Sequence, residues 1–118
     1  HIKKVTKGQT VGYSRKGKVL TDSLIATVPV GYADGLRRIL SNGVGKFWIN
    51  GKLAPIIGNI CMDMCMIDVT GLDVKEGDRV EIFGKNLLVA QLAQWMQTIP
   101  YEVLTGISSR VKRTYQME

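Results

Sequence analysis

Histidine, cysteine and proline are scarce in this sequence: one histidine, two cysteines and three prolines in 118 residues. The histidine is His1, at the very start of the chain. That excludes a Ser-His-Asp or Cys-His arrangement and any histidine general base. Two cysteines fall short of the roughly four soft ligands of a structural zinc site. No apolar run approaches the roughly 20 residues of a membrane span, and the opening His-Ile-Lys-Lys-Val has no signal-peptide pattern. No Walker-type glycine-rich phosphate loop is present either. No membrane partner is expected, and two cysteines read as free thiols suit a cytoplasmic protein.

What is present is an ordinary globular composition, 45% hydrophobic and 22% charged. It suits one small domain, or a piece of a larger protein, able to bury about two-thirds of its unfolded surface. Sixteen basic residues against ten acidic ones give a net charge of +6. That raises nucleic acid, anionic lipid or a phosphorylated ligand as partners. Aromatics are not interleaved with basic residues along one strand pair, as a single-strand-binding platform requires. A nucleic-acid-binding barrel is therefore the weaker alternative, and no nucleic-acid partner is expected.

Thirteen glycines divide the chain into stretches mostly too short for helices. Ile25–Val30 is β-branched, but Pro29 cannot donate to a ladder, which predicts an edge or bulged strand. Residues 46–57, with Asn50-Gly51 at the centre, predict a hairpin with a type I′ turn. Residues 60–69 read as a further strand, with Cys61, Asp63 and Cys65 on one face and Met62, Met64 and Met66 on the other. In that geometry the two thiols stand about 13 Å apart, beyond disulfide reach. Both read as free structural thiols of a reducing compartment. Arg79–Phe83 alternates with period two. Val89, Leu92, Trp95, Met96 and Ile99 form a helical stripe that Pro100 stops or kinks, and residues 101–104 can add a further helical turn. Residues 110–115 read as an exposed edge strand guarded by charge. The expected fold is mostly β, a small β-barrel or sandwich with one or two short helices near the C-terminal end.

Three tyrosines stand in turn-like contexts: Tyr13 in Val-Gly-Tyr-Ser, Tyr32 in Val-Gly-Tyr-Ala-Asp-Gly and Tyr101 in Ile-Pro-Tyr-Glu. Each taken alone reads as an amphipathic surface or core residue, hydrogen-bonded at its tip. Together with Ala26–Gly35, Gly51–Gly58, Ile60–Met66, Val74–Asp78, Thr98–Glu102 and Ile107–Arg113, they form blocks that cover nearly the whole chain. In these blocks the sequence resembles the C-terminal domain of alanine racemases, the fold-type III enzymes that use pyridoxal phosphate.

The resemblance implies that residues 1–118 are one β-rich domain. The cofactor-binding (β/α)8 barrel that precedes it in the family, with its cofactor-holding lysine, has no counterpart here. It implies a head-to-tail homodimer in which this domain completes the partner's active site, and an isolated domain without activity. By the same resemblance Tyr13 matches the second catalytic base, opposite the lysine, and precedes Tyr32 at the family's spacing. Racemisation needs an acid/base group on each face of the α-carbon. Ionising a free tyrosine at pH 7 costs about 4 kcal/mol, so a cationic network must assist. Met62 matches the position whose backbone N–H contacts the substrate carboxylate, and Asp63 one that lines the approach, although it also suits a solvated strand end. Tyr32 matches a tyrosine that narrows the channel. Tyr101 matches one that hydrogen-bonds the cofactor phosphate and constricts the entrance.

Arg37, Arg38, Arg110, Lys112 and Arg113 read mainly as interface or surface charges, one of which can orient Tyr13 or Tyr101. Leu36 replaces an aromatic common in relatives, which bears on the wall of the entrance. The implied activity interconverts L- and D-alanine for peptidoglycan, with serine or lysine as alternative substrates. The Val-Gly-Tyr-Ser-Arg-Lys-Gly-Lys wording also resembles a subgroup fused behind a peptidoglycan-precursor ligase domain.

Overall fold

The computed structural model describes residues 23–109 and Val111 in full, and the backbone of three strands before them. These are β1 (Ile2–Val5), β2 (Thr10–Val11) and β3 (Gly17–Lys18). Next come β4 (Ser23–Val28), β5 (Lys46–Ile49), β6 (Lys52–Ile57), β7 (Cys65–Asp68), α1 (Val89–Trp95) and α2 (Pro100–Thr105). Five strands make one antiparallel sheet in the order β1-β4-β7-β6-β5, and β2 and β3 form a separate ribbon. The fold is mostly β, a sandwich-like layering with two short helices late in the chain. Among the described residues no helix is long and apolar enough to cross a membrane.

β4 is not an edge. It pairs with β1 on one side and β7 on the other. Its ladder ends at Val28, so Pro29 falls just outside and removes no donor. Pro29 instead occupies the centre of a tight turn, closed by Val30 N–H to Val28 O at 2.8 Å. The hairpin is as expected: Asn50 and Gly51 have φ of 46° and 88°, both positive as a type I′ turn demands. β6 pairs with β5 along Lys52–Pro55 and with β7 at Ile56 and Ile57. Ile56 N–H reaches Gly45 O at 2.9 Å, and strand alternation then turns the Pro55 nitrogen away from β5. That is how the strand tolerates a proline.

Three further expectations are corrected. In residues 60–69 only Cys65–Asp68 is strand; residues 61–64 form a turn closed by Cys61 N–H to Met64 O at 2.9 Å. Arg79–Phe83 contributes one isolated bridge, Trp48 to Glu81. There the Glu81 carboxylate accepts the N–H groups of Asn86 and Leu87 at 2.7 and 2.6 Å, bending the chain out of the sheet. Finally, α1 ends at Trp95, because Gln97 takes φ 58°, and Pro100 opens α2. Of the edge strand expected at 110–115 only Val111 is described, in a bend where its N–H donates to Ser108 O at 3.1 Å, and the other residues lie outside the described ones.

The core lies between sheet and helices: Phe47, Ala54, Ile56, Ile60, Ile67 and Val69 from the sheet side pack with Leu92, Ala93, Met96 and Val103 of the helical side. Ile25 packs separately with Ile57 and Met66. Phe47 is fully buried and among the largest buried side chains. Phe47→Ala is expected to cost about 3–5 kcal/mol of stability, read from denaturant unfolding.

Candidate functional site

After Pro29 the chain makes a closed turn. Gly31 N–H donates to Asp34 Oδ2 at 2.9 Å and Asp34 N–H returns to Gly31 O at 3.0 Å. These reciprocal bonds wind Tyr32–Asp34 into one turn of 3-10 helix. Gly35 ends it with φ 111°, which favours glycine. Leu36 is only 4% exposed and anchors the turn in the core. Leu36 therefore packs inward and contributes almost no exposed surface to this domain.

This turn docks on the one at residues 61–64. Tyr32 N–H and Ala33 N–H donate to the carbonyls of Cys61 and Met62, both at 3.0 Å. Gly31 makes the approach possible: a Cβ there would overlap the Cys61 and Met62 carbonyl oxygens and lie 2.6 Å from the Met62 carbonyl carbon. The lower turn is itself fixed, since Ile60 N–H donates to the buried Ser41 hydroxyl at 2.9 Å. The interlock presents Tyr32, 46% exposed, and Met62, 51% exposed, with exposed Asp63 between Met62 and Met64. Both Met62 and Cys61 carbonyls are engaged, whereas the Met62 N–H has no hydrogen-bond acceptor among the described residues. A main-chain donor presented this way suits a carboxylate.

Tyr101 stands on the first turn of α2, 79% exposed. The Glu102 Oε1 beside it accepts Thr98 Oγ1 at 2.7 Å and meets Arg37 Nη2 at 2.6 Å. The far end of α2 meets the same turn: Ser108 N–H donates to Asp34 O at 3.1 Å, and a Cβ on Gly35 would lie 2.5 Å from Gly106 O. Both ends of the helix are thus fastened to the Gly31–Arg37 turn. Arg38 is exposed and opens a second 3-10 turn, Arg38–Leu40. Tyr13, Arg110, Lys112 and Arg113 lie outside the described residues.

Electrostatics separate the structural groups from the available ones. Burial, and then the neighbouring Cys61, push the Cys65 thiol up to about 12, so it stays protonated and inert at neutral pH. Both cysteines are free. The Thr98 hydroxyl, then the Arg37 guanidinium, hold the Glu102 carboxyl below its usual range. The Lys75 N–H and the Asn50 amide do the same for Asp78, whose Oδ2 they meet at 2.9 and 2.8 Å. A carboxylate with a depressed pKa contributes stability that is complete above its unfolded value of about 4 and disappears as pH falls through the folded value. The unfolding midpoint should therefore hold between about pH 5 and 7 and decline below about pH 4. Glu102→Gln and Asp78→Asn should each flatten that decline, measured by thermal unfolding across pH.

Among the described residues no group of three or more His, Cys, Asp or Glu side chains is placed to hold a metal. A cavity of about 210 Å³ lies behind the Gly31–Leu36 turn, lined by Val30, Leu36, Phe83, Met96 and Val103 with Asp34 at its margin. It offers no cradle for a phosphate. The donors that suit an anionic cofactor or substrate are the exposed ones, the Tyr101 hydroxyl and the Met62 N–H. Both are donors of the kind that an anionic group accepts from.

Sequence reasoning missed the Thr98–Glu102–Arg37 cluster as a unit and the contact role of Gly31. A threonine before Pro100 and a glutamate in the first helical turn were its available signal.

Residues 1–115 match the family model described as "Alanine racemase, C-terminal domain". The chain is 52% identical over 120 residues to alanine racemase 1 of Clostridium acetobutylicum, covering 98% of this chain and 31% of that protein. It is 42% identical over 118 residues to the alanine racemase of Helicobacter acinonychis, covering 97% and 31%. The alanine racemase of Bartonella henselae, solved with covalently bound pyridoxal phosphate, superposes with a TM-score of 0.92 at 39% identity, over 98% of this chain and 32% of that one. That of Streptomyces coelicolor A3(2) gives 0.93 at 33%, over 100% and 32%. The chain spans about a third of the length of the relatives it matches.

Proposed function

The chain belongs to the family of alanine racemase C-terminal domains, and from that premise we propose that it is the β-rich domain, residues 1–118, of a pyridoxal-phosphate-dependent alanine racemase. The parent protein interconverts L- and D-alanine for peptidoglycan synthesis in the cytoplasm. It works as a head-to-tail homodimer in which each C-terminal domain completes an active site on its partner's barrel. The interlock that carries Tyr32, Met62 and Asp63 on two joined turns, with no acceptor for the Met62 N–H among the described residues, supports this reading.

Pyridoxal phosphate, when bound, supplies an electron sink for the charge left at the α-carbon. The residues of this chain do the rest of what falls to it. Tyr13 moves a proton at its hydroxyl on one face of that carbon. The Met62 N–H holds the substrate carboxylate and fixes which face Tyr13 meets. Tyr101 donates to the cofactor phosphate. Tyr32 and Tyr101 narrow the approach and Asp63 lines it, so that a methyl side chain passes and a longer one is excluded sterically. Apolar contact alone separates one methylene by only about 10- to 200-fold.

The reading is tested on the purified full-length parent with its cofactor. L-alanine should racemise far faster than L-serine or L-lysine, and the isolated 118-residue domain should turn over none of them. Serine or lysine as the preferred substrate, or no racemisation by the parent, would reject it.

A further inference from the structure

We infer that Glu102, braced by Arg37 and Thr98, is a positioning residue for Tyr101. The inference rests on the proposed contact of Tyr101 with the cofactor phosphate and deepens it. The Tyr101 ring is largely exposed and its hydroxyl has no hydrogen-bond partner among the described residues, so nothing holds the side chain itself. Its placement is set by the backbone of α2. That helix has six residues, too few to be stable alone, and its N-cap residue is Ile99, whose side chain makes no cap hydrogen bond. Its first turn is held by the Glu102 and Val103 N–H groups on Ile99 O at 3.0 and 3.3 Å and by buried Val103, and one carboxylate oxygen ties its exposed side to the neighbouring turn. Glu102 Oε1 receives the Thr98 hydroxyl at 2.7 Å from just before the helix and the Arg37 guanidinium at 2.6 Å from the neighbouring turn. Tyr101 lies in the segment this bridge spans.

Arg37 is well seated for the task, because it follows buried Leu36 in a turn locked by its own hydrogen bonds. The far end of α2 is fastened independently, through Ser108 to Asp34 and Gly35 against Gly106. Losing the Glu102 bridge therefore loosens the exposed side of the first turn, which carries Tyr101, while buried Val103 and the far end keep the helix attached.

The test is a double-mutant cycle on the full-length holoenzyme, reading the pyridoxal phosphate dissociation constant by absorbance titration of the apoenzyme, with the melting midpoint as a check on folding. Tyr101→Phe should weaken cofactor binding. Glu102→Ala should weaken it by about three- to tenfold in the parent and add almost nothing in the Tyr101→Phe background, the coupling expected of residues in one network. Should Glu102→Ala fold poorly, Glu102→Gln, which keeps a Thr98 contact and loses the ion pair, takes its place in the cycle. Equal effects of Glu102→Ala in both backgrounds, or no effect beside a weakened Tyr101→Phe, would overturn the positioning role. An unchanged constant in Tyr101→Phe would remove Tyr101 from the phosphate, and the inference with it.

Discussion

Tyr13→Phe in the full-length parent should lower turnover by about 10²- to 10⁴-fold, the range lost with a positioned acid or base, while cofactor binding stays nearly unchanged. The substitution removes one hydroxyl and keeps the ring, so packing around it changes little. Phenylalanine can neither take nor return a proton, and neither the chain's one histidine, His1, nor the buried Cys65 thiol, held protonated, offers a substitute. Steady-state rates with L- and D-alanine check this. Wild-type turnover in both directions would take Tyr13 out of the mechanism.

Gly31→Ala should be the most damaging substitution among the described residues that present the site. A methyl group there meets the main chain of Cys61 and Met62, and neither carbonyl can rotate away as a side chain would. The turns must separate, weakening the 3.0 Å bonds from Tyr32 and Ala33. At about 1 kcal/mol net for each bond, with strain added, destabilisation of about 3 kcal/mol or more is expected. Because the displaced strip presents the Met62 N–H, KM for alanine should rise along with the loss of stability. Denaturant unfolding and steady-state kinetics on the same variant read both effects. A variant as stable as its parent, with unchanged KM, would show that the two turns are not tightly interlocked.

The residues explain which parts of this molecule were legible before its structure. Asn50-Gly51 announced its hairpin because a type I′ turn is local chemistry, two adjacent positive φ values. The apolar stripe from Val89 announced α1 for the same reason, though its end did not follow Pro100. Gln97 turned the chain first, and the proline then served as the first residue of α2. Cys61–Met64 alternates like a strand, yet its carbonyls are recruited by a turn far away in sequence, which no local pattern encodes. Arg79–Phe83 alternates too, but Glu81 spends its carboxylate on Asn86 and Leu87 instead of extending the sheet.

The candidate site divides the same way. Tyr32, Met62, Asp63 and Tyr101 were legible through family resemblance, and the structure brings the first three onto interlocked turns. The bridge from Arg37 to Glu102 joins residues distant in sequence and showed itself only in the folded chain.

The central claim, that this domain supplies the acid/base group for one face of the α-carbon, is tested most directly by α-proton exchange in heavy water. L- and D-alanine would each be incubated with the full-length parent and with its Tyr13→Phe variant, and deuterium incorporation followed separately for each enantiomer. The account predicts that the variant loses exchange selectively from one enantiomer and keeps it from the other, because the second face is served by a group outside this chain. Wild-type exchange from both enantiomers in the variant would contradict it.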